Sequence, residues 1–318
     1  MITVWAPDGV GEVRAGDDLA ALVLPLVDLA DGDVLVVTSK VVSKAEGRVV
    51  SGTTREEALA GETVRVVARR GPTTIVRTRH GLTMAAAGID ASNVEVGSVV
   101  LLPLDPDASA RRLRAAVRAR TGRNVGVVVT DTAGRAWREG QTDIAVGAAG
   151  LRVVEDFGGR VDHHGNPLVV TAPAVADEVA GVAELASGKL GARPFAVVRG
   201  RADLVLAPGE DGPGARALVR AEGADLFGYG AREAVVRAVL GDPADRAPFG
   251  APAPAEELAA VLRLVPGVEV TTTEDGLAVT GGPAAAVAAL AFAHGWAADE
   301  GAVRAGSAVG ARLRPATT

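Results

Sequence analysis

Residues 125–141 run VGVVVTDTAGRAWREGQ. Val125–Thr130 is apolar and rich in β-branched side chains, and it is too short for a typical helix, so it reads as a buried strand. The strand is expected to end in Asp131, followed by Thr132 and a glycine turn at Gly134. A carboxylate at a strand's end lies at the edge of a sheet. There it can meet a hard divalent cation, with the Thr132 hydroxyl as another oxygen ligand. The alternative is an Asp that caps the next turn. Arg135 and Arg138 follow, with the planar fork that suits phosphate or carboxylate.

Outward from this strand, short apolar runs and amphipathic stretches alternate irregularly. Ser109–Thr121 predicts a helix with Ser109 as N-cap and Gly122 as the stop. Val34–Thr38 (VLVVT) predicts a second buried strand. Residues 17–29 predict a helix that Pro25 ends early or kinks. Glu62–Ala68, Thr74–Arg79, Val94–Leu102, Leu168–Thr171 and Pro194–Val198 predict further strands, and Val175–Ala186 a helix. The pattern is that of an α+β (mixed α/β) fold. A Pro-rich stretch, 246–254, reads as a linker between a main domain, 1–245, and a small unit, 255–318. That unit is expected to be helix–hairpin–helix.

The chain has 318 residues and a formal net charge of −6. No Lys/Arg block exceeds two residues, so nucleic acid is not an expected partner. There are no cysteines, which excludes disulfides, iron–sulfur clusters and thiolate nucleophiles. No apolar run is long enough to span a membrane. The start, MITVWAPDGVGEV, lacks a basic, apolar leader, so a cytoplasmic protein is expected. Neither a P-loop nor a dinucleotide fingerprint is present.

Of 33 basic residues only Lys40, Lys44 and Lys189 are lysines. In so arginine-rich a chain a lysine is weakly marked as a compact ammonium that a planar guanidinium cannot replace, or it is chance. Lys40 and Lys44 follow the 34–38 strand and would share a helix face, where their repulsion calls for an anion, most simply a phosphate. The small-residue loop Val10–Val13 could add backbone N–H donors. In GLTMAAAGIDASNVE, residues 81–95, Asp90 and Asn93 either face one ion or polar ligand or form an ordinary Asx turn.

Five stretches, 9–20, 36–48, 79–95, 130–147 and 176–189, together resemble the coenzyme F420-0 gamma-glutamyl ligase family. The resemblance covers nearly all of residues 1–245. It implies a mixed α/β fold peculiar to the family, an intertwined homodimer and a GTP-dependent ligase. That ligase adds L-glutamate to the carboxylate of F420-0, and then further γ-linked glutamates, through an acyl phosphate. It also implies Mg²⁺ or Mn²⁺, two per site, with K⁺ assisting. By motif, Asp90, Asp131 and Thr132 would be metal ligands. Val10, Gly11, Glu12, Val13, Ser39, Lys40, Lys44 and Asn93 would contact the nucleotide, with Lys189 near it. Lys44 and Asp131 would be catalytic. The flavin-binding domain that follows some relatives is not expected in so short a tail. Two rival readings are a non-catalytic nucleotide- or metal-binding regulator and a metal-dependent ligase or kinase acting on another carboxylate.

Overall fold

The apolar runs 34–38 and 126–130 lie side by side as parallel strands, with Val34 opposite Gly126 and Thr38 opposite Thr130. Both faces of the pair are covered, which is why neither run alternates with polar residues. These positions come from a computed structural model, which describes residues 1–92, 94–298 and 310–316.

The chain forms two compact units, Met1–Val219 and Arg220–Thr318. The first contains β1 (Thr3–Trp5), α1 (Leu19–Val23), β2 (Val34–Thr38), α2 (Ser39–Ala45), β3 (Val49–Ser51), α3 (Arg55–Glu62), β4 (Thr63–Arg70), β5 (Thr73–Thr78), β6 (Thr83–Ala85) and β7 (Ser98–Val100). It continues through α4 (Pro106–Thr121), β8 (Gly126–Arg135), β9 (Arg138–Ala149), β10 (Arg160–Val161), β11 (Pro167–Leu168), α5 (Val175–Ser187) and β12 (Phe195–Arg199). The central sheet has the order β1–β12–β2–β8–β9 and is antiparallel except for β2–β8.

Strand alternation sorts the core into two layers. Leu35, Val37, Val127, Val129 and Val197 pack with Leu113 and Val117 of α4. Val34, Val36, Val128 and Val198 pack with Val175, Val179 and Ala183 of α5. The excursion between β3 and β7 carries the separate β4–β5–β6 sheet and a small core around Val76 and Ile89. The fold is α+β, as the alternation implied.

Several local expectations differ. β8 does not end at Asp131 but runs to Arg135, and the turn is Ala136–Trp137, because Thr132 to Gly134 keep pairing with β9. The N-cap of α4 is Asp105, whose side chain accepts from the Ala108 N–H, with Pro106 in the first turn. Ser109 lies inside the helix and donates to Glu46 at 2.5 Å. Pro25 does end α1, which tightens into a 3₁₀ turn over Leu24–Leu26. Of the strand expected at 168–171, only Leu168 pairs, within β11.

The second unit holds α6 (Ala231–Leu240), α7 (Ala255–Leu262), β13 (Val268–Thr273), β14 (Gly276–Gly281), α8 (Ala284–Ala293), β15 (Trp296–Ala298) and β16 (Ala311–Pro315). Its sheet order is β13–β14–β16–β15, over a core that includes Leu258, Leu262, Leu277 and Leu313. Residues 246–254 lie inside this unit. Phe249 sits edge-on to both Tyr229 and Phe292, with ring centroids 5.1 and 5.7 Å away. Among the described residues, no helix is long and apolar enough to cross a membrane.

Candidate functional site

A cavity of about 630 Å³ opens at the carboxyl ends of the parallel strands β2 and β8. Ligands of open α/β sheets favour that location, because the chain leaves the sheet there in loops free to carry polar groups. The cavity is lined by the Val10–Val13 loop, Lys40 and Lys44 of α2, Asp90 and Ser92, Thr130 and Asp143, and by residues from Ala183 to Ala196.

The helix expected after β2 forms, and both its lysines line one wall. Their repulsion is met within the chain. Lys40 Nζ lies 2.5 Å from Asp90 Oδ2 and donates to Ser92 Oγ at 2.8 Å. Lys44 Nζ lies 2.5 Å from Glu12 Oε1. Lys44 is buried while Glu12 is exposed, so the loop carboxylate reaches inward to an ammonium held by the helix.

Asp90 is placed by an unusual turn. Ala86, Ala87 and Gly88 all have positive φ, at 49°, 53° and 70°. Left-handed backbone costs a residue with a Cβ about 1–2 kcal/mol, so this turn stores strain at the cavity's edge. It holds because Asp90 is pinned to Val100 by two backbone hydrogen bonds, of 3.0 and 2.7 Å. The Asp90 carboxylate also closes an Asx turn on the Ser92 N–H at 2.7 Å. Burial pushes its carboxyl up, but Lys40 and Ser92 together hold it below the ordinary value. Asn93 lies outside the described residues.

Asp131 sits one residue along β8 from the cavity-lining Thr130, on the opposite face. Its Oδ1 accepts the Ser39 hydroxyl at 2.9 Å. A Cβ on Gly88 would come within 3.1 Å of Oδ2, so the turn before Asp90 packs against this carboxylate. Burial raises the Asp131 carboxyl from 3.8 to about 7, with Asp143 and Asp90 adding repulsion. It is a carboxylate short of positive charge.

The other face of the hairpin depends on a bulge. Val129 pairs with Gly147 but Thr130 pairs with Ala145, leaving Val146 over. One extra residue puts the β9 side chains on its two sides out of step with a simple alternation. Ala145 faces α5 just before the bulge and Ala148 faces it again just after. Asp143, opposite Thr132, therefore points toward α5 and not toward α4. It accepts the Thr130 hydroxyl at 2.9 Å and the Thr132 hydroxyl at 2.8 Å. The Ala145 N–H donates to Asp177 of α5 at 2.8 Å.

Asp131 and Thr132, expected as ligands of one site, are thus separated by the pleat. The Thr132 hydroxyl belongs with Asp143 and accepts from Lys189 Nζ at 2.9 Å. Lys189 is on the α5 side of the cavity, away from the Lys40–Lys44 wall. The structure adds Asp143, Asp177 and Glu184, which lie within the stretches 130–147 and 176–189 but were not among the expected site residues. Arg135 sits near the hairpin tip and donates to the Glu139 carbonyl, so it does not reach the cavity.

The family model of F420-0:Gamma-glutamyl ligase matches residues 9–200. The coenzyme F420:L-glutamate ligase of Archaeoglobus fulgidus is 41% identical over 218 residues, covering 63% of this chain and 88% of the relative. The enzyme of the same name from Halobacterium salinarum is 42% identical over 209 residues, covering 58% and 81%. That from Methanopyrus kandleri is 39% identical over 235 residues, covering 68% and 93%.

Proposed function

The chain belongs to the F420-0:gamma-glutamyl ligase family, and from that premise we propose that it joins L-glutamate to the carboxylate of F420-0 at the expense of GTP. The observation that carries the reading is the meeting of Lys40, Lys44 and the Val10–Val13 loop at one wall of a cavity whose rim holds Asp90. Making an amide from a carboxylate needs the carboxylate activated. Attack of its oxygen on the γ-phosphorus of GTP gives an acyl phosphate and GDP. The neutral glutamate amine then attacks the acyl carbon, and phosphate leaves as the nitrogen gives up one proton.

The first step brings two anions together, so positive charge must be in place before it begins. Lys40 and Lys44 supply it from a rigid helix. Each is now held by a carboxylate that a phosphate would have to displace or share. Ser39 fixes one oxygen of Asp131 and leaves the other turned toward the Asp90 turn.

The residues fit a divalent ion. Asp131 is a carboxylate whose charge is opposed by burial and by two neighbouring carboxylates, and Asp90 is next to it in the site. No group of three or more His, Cys, Asp or Glu among the described residues forms a closed metal cage. Mg²⁺ and Mn²⁺ sites in phosphoryl transfer commonly use one or two carboxylates, with phosphate oxygens and water completing the shell. Asp90 and Asp131 would hold the ion, which neutralises charge on the transferring phosphoryl group.

The same reading includes a homodimer. Val49, Val50, Val64 and Val96 are exposed apolar side chains on the excursion that carries β4–β6, and light scattering reads the assembly directly. The mechanism is tested with F420-0 carrying heavy oxygen in its carboxylate. One labelled oxygen should appear in the released phosphate. Ligation with unlabelled phosphate would refute the acyl phosphate.

A further inference from the structure

A second cavity, of about 400 Å³, lies in the first unit on the α4 side of the β8–β9 hairpin. It shares no lining residue with the first. Its apolar wall includes Leu82, Leu104 and Val146, the residue left over by the bulge. Val146 and Leu82 belong to the core layer that faces α4. Asp131 takes that same face, and its partner across the ladder, Ile144, packs into the same layer. Two residues of strand, roughly 7 Å, separate Ile144 from Val146. The second cavity therefore begins close to the metal-binding carboxylate, on the face that the nucleotide cavity leaves open.

Three guanidiniums line it, those of Arg79, Arg111 and Arg216. Arg79 lies 3.2 Å from Glu62, and Arg111 lies 3.7 Å from Asp105. Arg216 has no side-chain partner among the described residues. Asp107, the other acid in the wall, is taken up by the N–H groups of Ala148, Ala215 and Arg216. The remaining polar group is His80. Its Nε2 faces the carbonyls of Pro103 and Leu104 at 2.9 and 3.2 Å, so that nitrogen carries the ring hydrogen. Burial and the Arg79 charge hold the ring below its ordinary pKa, which keeps it neutral. Nδ1 is thus an acceptor, and it is buried without a partner. An orphaned acceptor costs about 1–3 kcal/mol, which a ligand's N–H recovers. Nδ1 is closed to water in the free protein, so entry has to displace a side chain, and the exposed Leu104 has room to swing.

A slot with apolar walls, guanidinium donors and one acceptor suits a flat heterocycle whose edge reads acceptor, donor, acceptor. The pyrimidinedione end of a deazaflavin is such an edge, an N–H between two carbonyls. We infer that this pocket holds the deazaflavin ring of F420-0, with the ring N–H donating to His80 Nδ1 and the ring carbonyls accepting from Arg216 and Arg111. This rests on the ligase reading and names the subsite of its acceptor substrate. The rest of F420-0 then runs along the hairpin and brings its carboxylate to the metal at Asp131, while GTP enters from the other face.

The probe is the deazaflavin riboside, F420-0 without its phospholactate, which is fluorescent and has no carboxylate to ligate. Fluorescence anisotropy with the full chain should show saturable binding. Arg216→Gln and Arg111→Gln should each weaken it roughly tenfold or more, the loss of a charge-assisted hydrogen bond, and Arg118→Gln should not. A riboside methylated at the ring N–H should bind the parent about tenfold more weakly. In steady-state assays the KM for F420-0 should rise in the first two variants while the KM for GTP stays put. No saturable binding, or equal binding of the riboside by the parent and both variants, overturns the assignment. So does displacement of the riboside by equimolar uridine, which has the edge without the tricycle. Binding by the parent that the variants lack supports the subsite even if no ligated product forms. Ligation by the parent with an unchanged KM for F420-0 in both variants overturns the subsite and leaves the ligase reading standing.

Discussion

Asp131→Asn should stabilise the metal-free protein at alkaline pH while destroying its activity. The Asp131 carboxyl is raised from 3.8 to about 7. A carboxyl raised on folding binds its proton more tightly in the native state, so stability falls as pH climbs from the unfolded to the folded value. At 1.36 kcal/mol per pH unit the full cost of ionising it is about 4 kcal/mol, and residual solvent screening brings this to about 2–3 kcal/mol. Asparagine keeps an oxygen to accept the Ser39 hydroxyl and removes the charge. In EDTA at pH 8 the variant should melt roughly 5–10 °C above the parent, and at pH 4 the two should converge. With Mg²⁺ and GTP the order should reverse, because only the parent gains from ligand binding. Turnover should fall by about 10²-fold or more. A variant that melts below the parent at pH 8 in EDTA, or that shows the parent's pH slope, would refute the reasoning.

Lys44→Arg should lower kcat/KM for GTP by about 10²-fold, since a guanidinium cannot occupy the buried position of the ammonium; Arg118→Lys, on the exposed face of α4, should have almost no effect. Gly150→Ala would place a Cβ 2.0 Å from Arg114 Nε at a φ of +65°. Arg114 is buried and donates to Val125 and Glu210 carbonyls and to Asp211, so a loss of about 3 kcal/mol is expected, seen as a fall in Tm of roughly 6–12 °C. Asp177→Ala leaves the bulged Ala145 N–H without its acceptor. It should cost about 1–3 kcal/mol, measured by urea melts. A chain ending at Val219, the limit of the first unit, should retain ligation. One ending at Asp242 should aggregate more, because it keeps α6 with Val235, Val236, Val239 and Leu240 exposed.

What could be read in the sequence was what depends on nearest neighbours. The β2 and β8 runs are apolar throughout because both faces of the sheet are covered. Lys40 and Lys44 share a wall because four residues make about one helical turn. Pro25 ended α1 for its missing N–H. The role of Asp143 could not be read, because it depends on a bulge three residues away that no residue type announces. By simple alternation from Ala148 it would have faced α4. The separation of Asp131 from Thr132 was hidden for the converse reason: the strand was taken to end at Asp131, and pairing with β9 carries the pleat through to Arg135. The Lys40–Asp90 and Lys44–Glu12 pairs join segments 50 and 32 residues apart, and only the fold brings them together. Glu184 sits in a quoted motif, but its exposure to the cavity follows from how α5 lies on the sheet.

The most direct test of the central claim is mass spectrometry of the full chain's reaction with F420-0, L-glutamate, GTP and Mg²⁺ or Mn²⁺. The account predicts a product heavier than F420-0 by one or more glutamyl residues, matched by GDP and phosphate, and dependent on all three substrates. Unchanged F420-0 at saturating substrate and metal, from a protein that is folded and binds GTP, would contradict it.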